Sequence, residues 1–142
     1  MLNSKLKNNH KMIINKAILD RLTEEAKASP RLRMNMDLRN SAEDKSQRML
    51  NALEPGTVLP IHRHKKSSET VVCLRGRLRE VFYDDNGKVT EVFDMSSDSD
   101  CVVLNIPIGQ WHTVEVMESG TVILEMKDGA YEPLQEDEII EI

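Results

Sequence analysis

From Ile14 the apolar residues fall at i, i+4, i+5 and i+8 (Ile14, Ile18, Leu19, Leu22), with Asp20, Glu24, Glu25 and Lys27 opposite them. That spacing predicts an amphipathic helix with one buried stripe. Ser29-Pro30 should end it, because the residue before a proline is pushed out of the α region. The next stretch, RLRMNMDLRNSAEDKSQ, is polar and without a clear period. It reads as a loop holding at most a short helical turn.

After Gln47 the texture changes to short β-type runs: RMLNAL, TVLPIHRH, ETVVCL, RLREVFY, KVTEVFDM, CVVLNI, WHTVEVM and TVILEMK. Turn residues separate them, among them Pro55-Gly56, Asn86-Gly87, Pro107-Ile108-Gly109 and Glu118-Ser119-Gly120. Asn-Gly between two β runs is a strong hairpin signal. About eight strands with no helix between them predict an antiparallel sandwich or barrel. The first eleven residues read as a disordered polar leader that contains His10, and Met12 behind it is a second candidate for the native start. At the other end, EPLQEDEIIEI is acidic with a few apolar residues, and either docks or frays.

Composition narrows the class. With 142 residues, 39% hydrophobic and 30% charged, the chain suits one soluble globular domain. Only 4% is aromatic, so Val, Leu, Ile and Met should fill the core. No apolar run approaches the roughly 20 residues that span a bilayer. The leader lacks the apolar segment of an export signal, which makes the cytoplasm the expected location. Cys73 and Cys101 lie in apolar runs without metal-type spacing and are expected to be buried free thiols. Residues 1–66 carry 14 Lys/Arg against 7 Asp/Glu, and residues 67–142 carry 5 against 17. The basic residues are spread singly with few aromatics, so a solvated face is expected and nucleic acid is not.

The candidate chemistry lies in GTVLPIHRHKKSSETVVCLRG, Gly56 to Gly76. On a strand, His62 and His64 project to one side and Arg63 to the other. Glu69 opens the next run and, in a hairpin, would return beside the histidines. A third histidine, His112, follows the Pro107-x-Gly109 turn. Neutral imidazoles and a carboxylate suit Zn, Fe, Mn, Co or Ni. Each residue alone has an ordinary reading: a polar strand end, a solvated carboxylate, a core histidine. The joint pattern is more specific.

Gly56 to Gly76 matches G-x5-H-x-H-x4-E-x6-G, and Pro107 to His112 matches the core of a second motif; together they resemble the two motifs of the cupins. The resemblance implies that His62, His64, Glu69 and His112 ligate one divalent transition metal. It also implies a mainly β fold, a double-stranded β-helix or jelly-roll barrel, with an N-terminal α-helix. In these terms residues 1–11 are leader, 12–47 helix and polar loop, 48–132 barrel, and 133–142 acidic tail. Val116 stands where the second motif usually ends in Asn, and Ser68 where an aromatic often precedes the glutamate. The order helix, SPRLR, QRMLNALEPGT, HRH, LRGRLR, PIGQWH, LEMKDGAYEP resembles the WbuC-type cupins, small bacterial metalloproteins some of which are encoded with polysaccharide genes. That implies a small-molecule partner, such as a sugar or an anion, and a homodimer.

Arg33, Gln47 and Arg48, with Arg31 and Arg39 nearby, are candidate contacts to an anionic ligand, or else cap the helix and pair with the acidic half. Lys65 and Lys66 are candidates for attracting anions at the barrel mouth, or simply solvated. Trp111 and Glu115 oppose His112 in strand parity and should face away from it. Four functions fit. One is a metal-dependent enzyme acting on a sugar or sugar nucleotide, such as an isomerase or epimerase, for which the sequence singles out no proton-transfer base. The others are an Fe(II) dioxygenase, a non-catalytic module that binds a small ligand through the metal, and a structural role in which the metal stiffens the barrel.

Overall fold

The computed structural model describes residues 12–140. The expected leader, its His10 and the question of a start at Met1 or Met12 therefore fall largely outside the described residues. The helix forms where its stripe predicts, α1 (Lys16–Ala28). Asn15 caps it, its side-chain oxygen accepting from the Ile18 amide at 3.1 Å, and Ser29 ends it ahead of Pro30.

Ten strands follow: β1 (Arg33–Asp37), β2 (Ser46–Leu53), β3 (Ile61–His62), β4 (Glu69–Arg75), β5 (Arg77–Tyr83), β6 (Val89–Ser96), β7 (Val103–Ile106), β8 (Trp111–Val116), β9 (Thr121–Asp128) and β10 (Ile139–Ile140). They build two five-stranded antiparallel sheets, ordered β1-β2-β9-β4-β7 and β10-β3-β8-β5-β6. The chain is mainly β with one N-terminal helix, as the motifs led one to expect.

One segment departs from the sequence reading, and the tail takes one of its two expected courses. Residues 33–37 are not loop: β1 pairs with β2 from Arg33↔Leu53 to Asp37↔Met49. Its buried Met36 packs under α1 with Leu22, Ala26, Leu50, Ala52 and Val122, and that tertiary contact outweighs the segment's polar composition. The acidic tail docks. A 3-10 turn at Glu136–Glu138 leads into β10, which pairs Ile139 with His62 and Ile140 with Ile61.

The sheets face each other over a core of Leu53, Val71, Cys73, Leu78, Phe82, Met95, Ile106, Val116 and Ile123. Alternation sets which side chains enter it. On β9, Ile123, Glu125 and Lys127 stand opposite Cys73, Val71 and Glu69 of β4. On β5, Leu78 and Phe82 flank Glu80. Polar groups therefore occupy one end of an interior that is apolar at the other.

The turn at Gly76 admits no side chain. Its φ is +83°, and a Cβ there would lie 2.3 Å from Thr121 Oγ1 and 2.5 Å from Thr121 Cα. Both cysteines are free thiols; Cys73 is buried, and Cys101 only partly. Among the described residues no helix is long and apolar enough to cross a membrane.

Candidate metal centre

His62 and His112 are direct cross-strand partners on β3 and β8. Their ring centroids are 4.2 Å apart, and His64 lies 5.1 Å from His62 and 5.8 Å from His112. One ligand nitrogen from each ring falls within 4.8 Å of the other two. The Pro107–Gly109 turn helps to join the halves, since the Gly109 amide donates to the His64 carbonyl at 2.8 Å.

Glu69 arrives from the opposite sheet. β3 and β4 do not form a hairpin; β4 pairs with β7 and β9, so the carboxylate crosses the barrel to meet the rings. Its Oε2 stands 3.5 Å from His64 Nε2 and its Oε1 3.7 Å from His112 Nε2.

Backbone carbonyls orient two of the rings. His62 Nδ1 contacts the Pro60 carbonyl at 3.0 Å and His112 Nδ1 the Gln110 carbonyl at 2.9 Å. A carbonyl only accepts, so each Nδ1 carries the hydrogen and each Nε2 keeps its lone pair for the interior. Nε2 of His64 and of His112 is buried without a hydrogen-bond partner. Orphaned buried nitrogens are costly unless something accepts their lone pairs, and three imidazoles beside a carboxylate form a donor set for a divalent transition metal. Burial, then the neighbouring His112, pulls the His62 pKa down to about 4, so this imidazole is neutral near pH 7. His64 is different: its Nδ1 meets Lys127 Nζ at 3.3 Å, and no carbonyl sets its tautomer.

Beside the histidines lies a cavity of about 220 Å³, also lined by Gln47, Arg48, Glu69, Glu125 and Lys127. A second of about 280 Å³ shares Gln47, His64 and Lys127 and extends past Lys65 and Lys66 to the C-terminal turn. Glu125 and Glu80 went unnoticed in the sequence. Glu125 Oε1 accepts from Asn51 Nδ2 at 3.1 Å. Burial, then the charge of Glu69, pushes its pKa up to about 7 against the Asn51 hydrogen bond. Glu80 is 1% exposed and its Oε2 has no partner. Burial, then the charges of Glu69 and Glu125, holds its carboxyl well above the usual range. Strand parity was the available signal: Glu80 sits between Leu78 and Phe82, and Glu125 two residues from Ile123.

The polar candidates separate. Gln47 lines both cavities, with Nε2 donating to the Gly129 carbonyl at 2.9 Å. Arg48 reaches the inner cavity, with Nη1 donating to Asp44 at 3.3 Å and to the Ser46 carbonyl at 2.7 Å. Arg33 does not reach the site. It pairs with Leu53 at the far end of β2 and donates to Thr57 Oγ1 and the Val58 carbonyl. Arg39 is bound to Asp37, a neighbour rather than a residue of the acidic half. Lys65 and Lys66 do pair with that half, at Asp137 and Glu132.

The remaining motif residues follow parity. Glu115 is exposed. Trp111 faces away from the rings, with Nε1 donating to Asp85 and the Arg63 guanidinium 4.4 Å above its ring. Val116 belongs to the apolar core, and Ser68 is exposed.

Solved structures share this architecture. CapF of Staphylococcus aureus, described as a capsular polysaccharide assembling protein, superposes with a TM-score of 0.60 at 22% identity, covering 76% of this chain and 30% of its own. KdgF from Halomonas sp. gives 0.57 at 11% identity, over 72% of this chain and 84% of its own. Oxalate decarboxylase of Bacillus subtilis, described with Mn(II) centres, gives 0.55 at 19% identity, over 78% of this chain and 28% of its own. The chain thus spans under a third of the length of two of these proteins and most of the third. These likenesses establish the cupin fold. No curated protein matches the sequence. A family model does match, over residues 14–95, more than half of the chain, and the chain belongs to that family, described as a domain of unknown function (DUF6016).

Proposed function

We propose that His62, His64, Glu69 and His112 hold one divalent transition metal (Zn, Fe, Mn, Co or Ni), and that the site is that of a metal-dependent enzyme acting on a sugar or the sugar part of a sugar nucleotide. The observation that carries this reading is the pair of buried, unpartnered Nε2 atoms facing the Glu69 carboxylate. When bound, the metal supplies Lewis acidity at a carbonyl or hydroxyl oxygen.

Glu125 supplies what an isomerase or epimerase also needs. It lines the cavity, is held by Asn51, and with a pKa near 7 both takes and returns a proton at neutral pH. Gln47 contacts the ligand at the mouth, beside Arg48, whose Nη1 is held by Asp44 and the Ser46 carbonyl. The inner cavity suits one sugar-sized group, and the outer one leaves room for whatever that group is attached to.

A WbuC-type role in cytoplasmic polysaccharide metabolism agrees with this reading, as does the description of CapF. A homodimer also fits, because edge strands β6 and β7 leave Val92 50% and Val103 49% exposed. Light scattering that gave a monomer mass would remove the dimer.

Elemental analysis of purified protein beside a His62→Ala variant tests the site. About one transition metal per chain, lost in the variant, is the expected result; no metal in either overturns the reading. Ligand-induced stabilisation without turnover would instead identify a binding module.

A further inference from the structure

We propose that Lys127 anchors the carboxylate of the ligand, so that the site selects small hydroxylated carboxylic acids over their neutral counterparts. This deepens the reading above and rests on it. Every other cation at the mouth is already engaged: Arg48 with Asp44, Lys65 with Asp137, Lys66 with Glu132. Lys127 is half-buried between the two cavities, and among the described residues no carboxylate lies within ion-pair distance of its Nζ. A lysine placed merely to offset Glu69 and Glu125 would reach one of them. It stands opposite Glu69 on the adjacent strand and still turns to His64.

That contact is incompatible with a loaded site. An imidazole that gives its Nε2 lone pair to a metal carries hydrogen on Nδ1, and an ammonium also only donates. Two donors at 3.3 Å have no hydrogen bond to share. Lys127 then needs an acceptor, and the cavity beside it is where one arrives.

Charge favours an anion as well. Glu132 is offset by Lys66, and a divalent ion with the Lys127 ammonium outweighs Glu69, leaving the cavity positive whether or not Glu125 is ionised. Three carboxyls in the wall, Glu69, Glu125 and Glu132, favour a monoanion over a phosphate dianion. The inner volume favours an acid no larger than a single sugar unit.

Lactate and propane-1,2-diol share a skeleton and differ in the carboxylate, which makes them suitable probes. Calorimetric titration of the metal-loaded protein should show lactate binding about tenfold or more tighter than the diol, with inorganic phosphate weaker than lactate. Lys127→Met should lose about ten- to a hundredfold of lactate affinity, and Lys127→Arg should restore most of it, with metal content unchanged in both. A loaded protein that does not prefer lactate to the diol, or prefers phosphate, overturns the proposal. So does a Lys127→Met variant that keeps its lactate affinity or loses its metal. Protein that takes up no metal yet binds lactate through Lys127 overturns the metal reading and leaves the anchor standing. If neither metal nor lactate binds, both fall.

Discussion

Glu69 and Lys127 are direct partners across the β4–β9 ladder, and neither neutralises the other. The carboxylate faces His64 and His112, while the ammonium meets the far nitrogen of His64. Opposite charges placed face to face ordinarily pair. Here the His64 imidazole comes between them, and both charges stay available to the cavity.

Metal should stabilise the fold, since the donor groups converge only in the folded chain. At a hundredfold excess over its dissociation constant, a bound ion adds about 2.7 kcal/mol. Urea unfolding with and without chelator should show that gap in the parent protein and none in His112→Ala. Coincident midpoints in the parent would remove the link between ion and fold.

Glu125 should make the metal-free protein less stable as pH rises from about 4.5 to about 7. In that window the unfolded chain has lost the proton that the folded carboxyl, raised to about 7, still holds. The stabilising difference is complete below the unfolded value and is lost as pH passes the folded one. The decline should be on the order of 3 kcal/mol, and Glu125→Gln should flatten that part of the profile. An unchanged profile in the variant would show that the carboxyl titrates normally.

Gly76→Ala should cost about 2–4 kcal/mol, combining a left-handed backbone with a methyl driven into Thr121. The urea midpoint measures it, and a shift below about 0.5 kcal/mol would show that the β5 entry relaxes freely.

Glu80→Met should raise stability by about 1–3 kcal/mol, because it replaces a buried, unpartnered carboxyl with an apolar group of similar length. Metal content should not change. A destabilised variant would reveal an acceptor role for Glu80.

Much of this was legible in order along the chain. The stripe of Ile18, Leu19 and Leu22 with Ser29-Pro30 marked α1, and Asn86-Gly87 marked the β5–β6 hairpin. The spacing of His62, His64 and Glu69 marked a site, but a one-dimensional pattern does not say which sheet a strand joins. Hence a hairpin was one way to bring Glu69 beside the histidines, whereas it comes from the opposite wall. β1 was hidden because MNMD alternates weakly and gains its strand character from α1 packing above it. Arg33 looked available among its basic neighbours, yet its strand register carries it to the far end of the barrel.

The pairing of β10 with β3 bears on the order of assembly. β3 is two residues long and carries His62, and its edge partner is contributed by residues 139–140. During synthesis that strand remains half-paired until every other described element has been made. Contacts so distant in sequence are also slow to close. On the metal reading proposed above, the strand that carries His62 gains its second partner last, so ion capture would close the folding sequence rather than seed it.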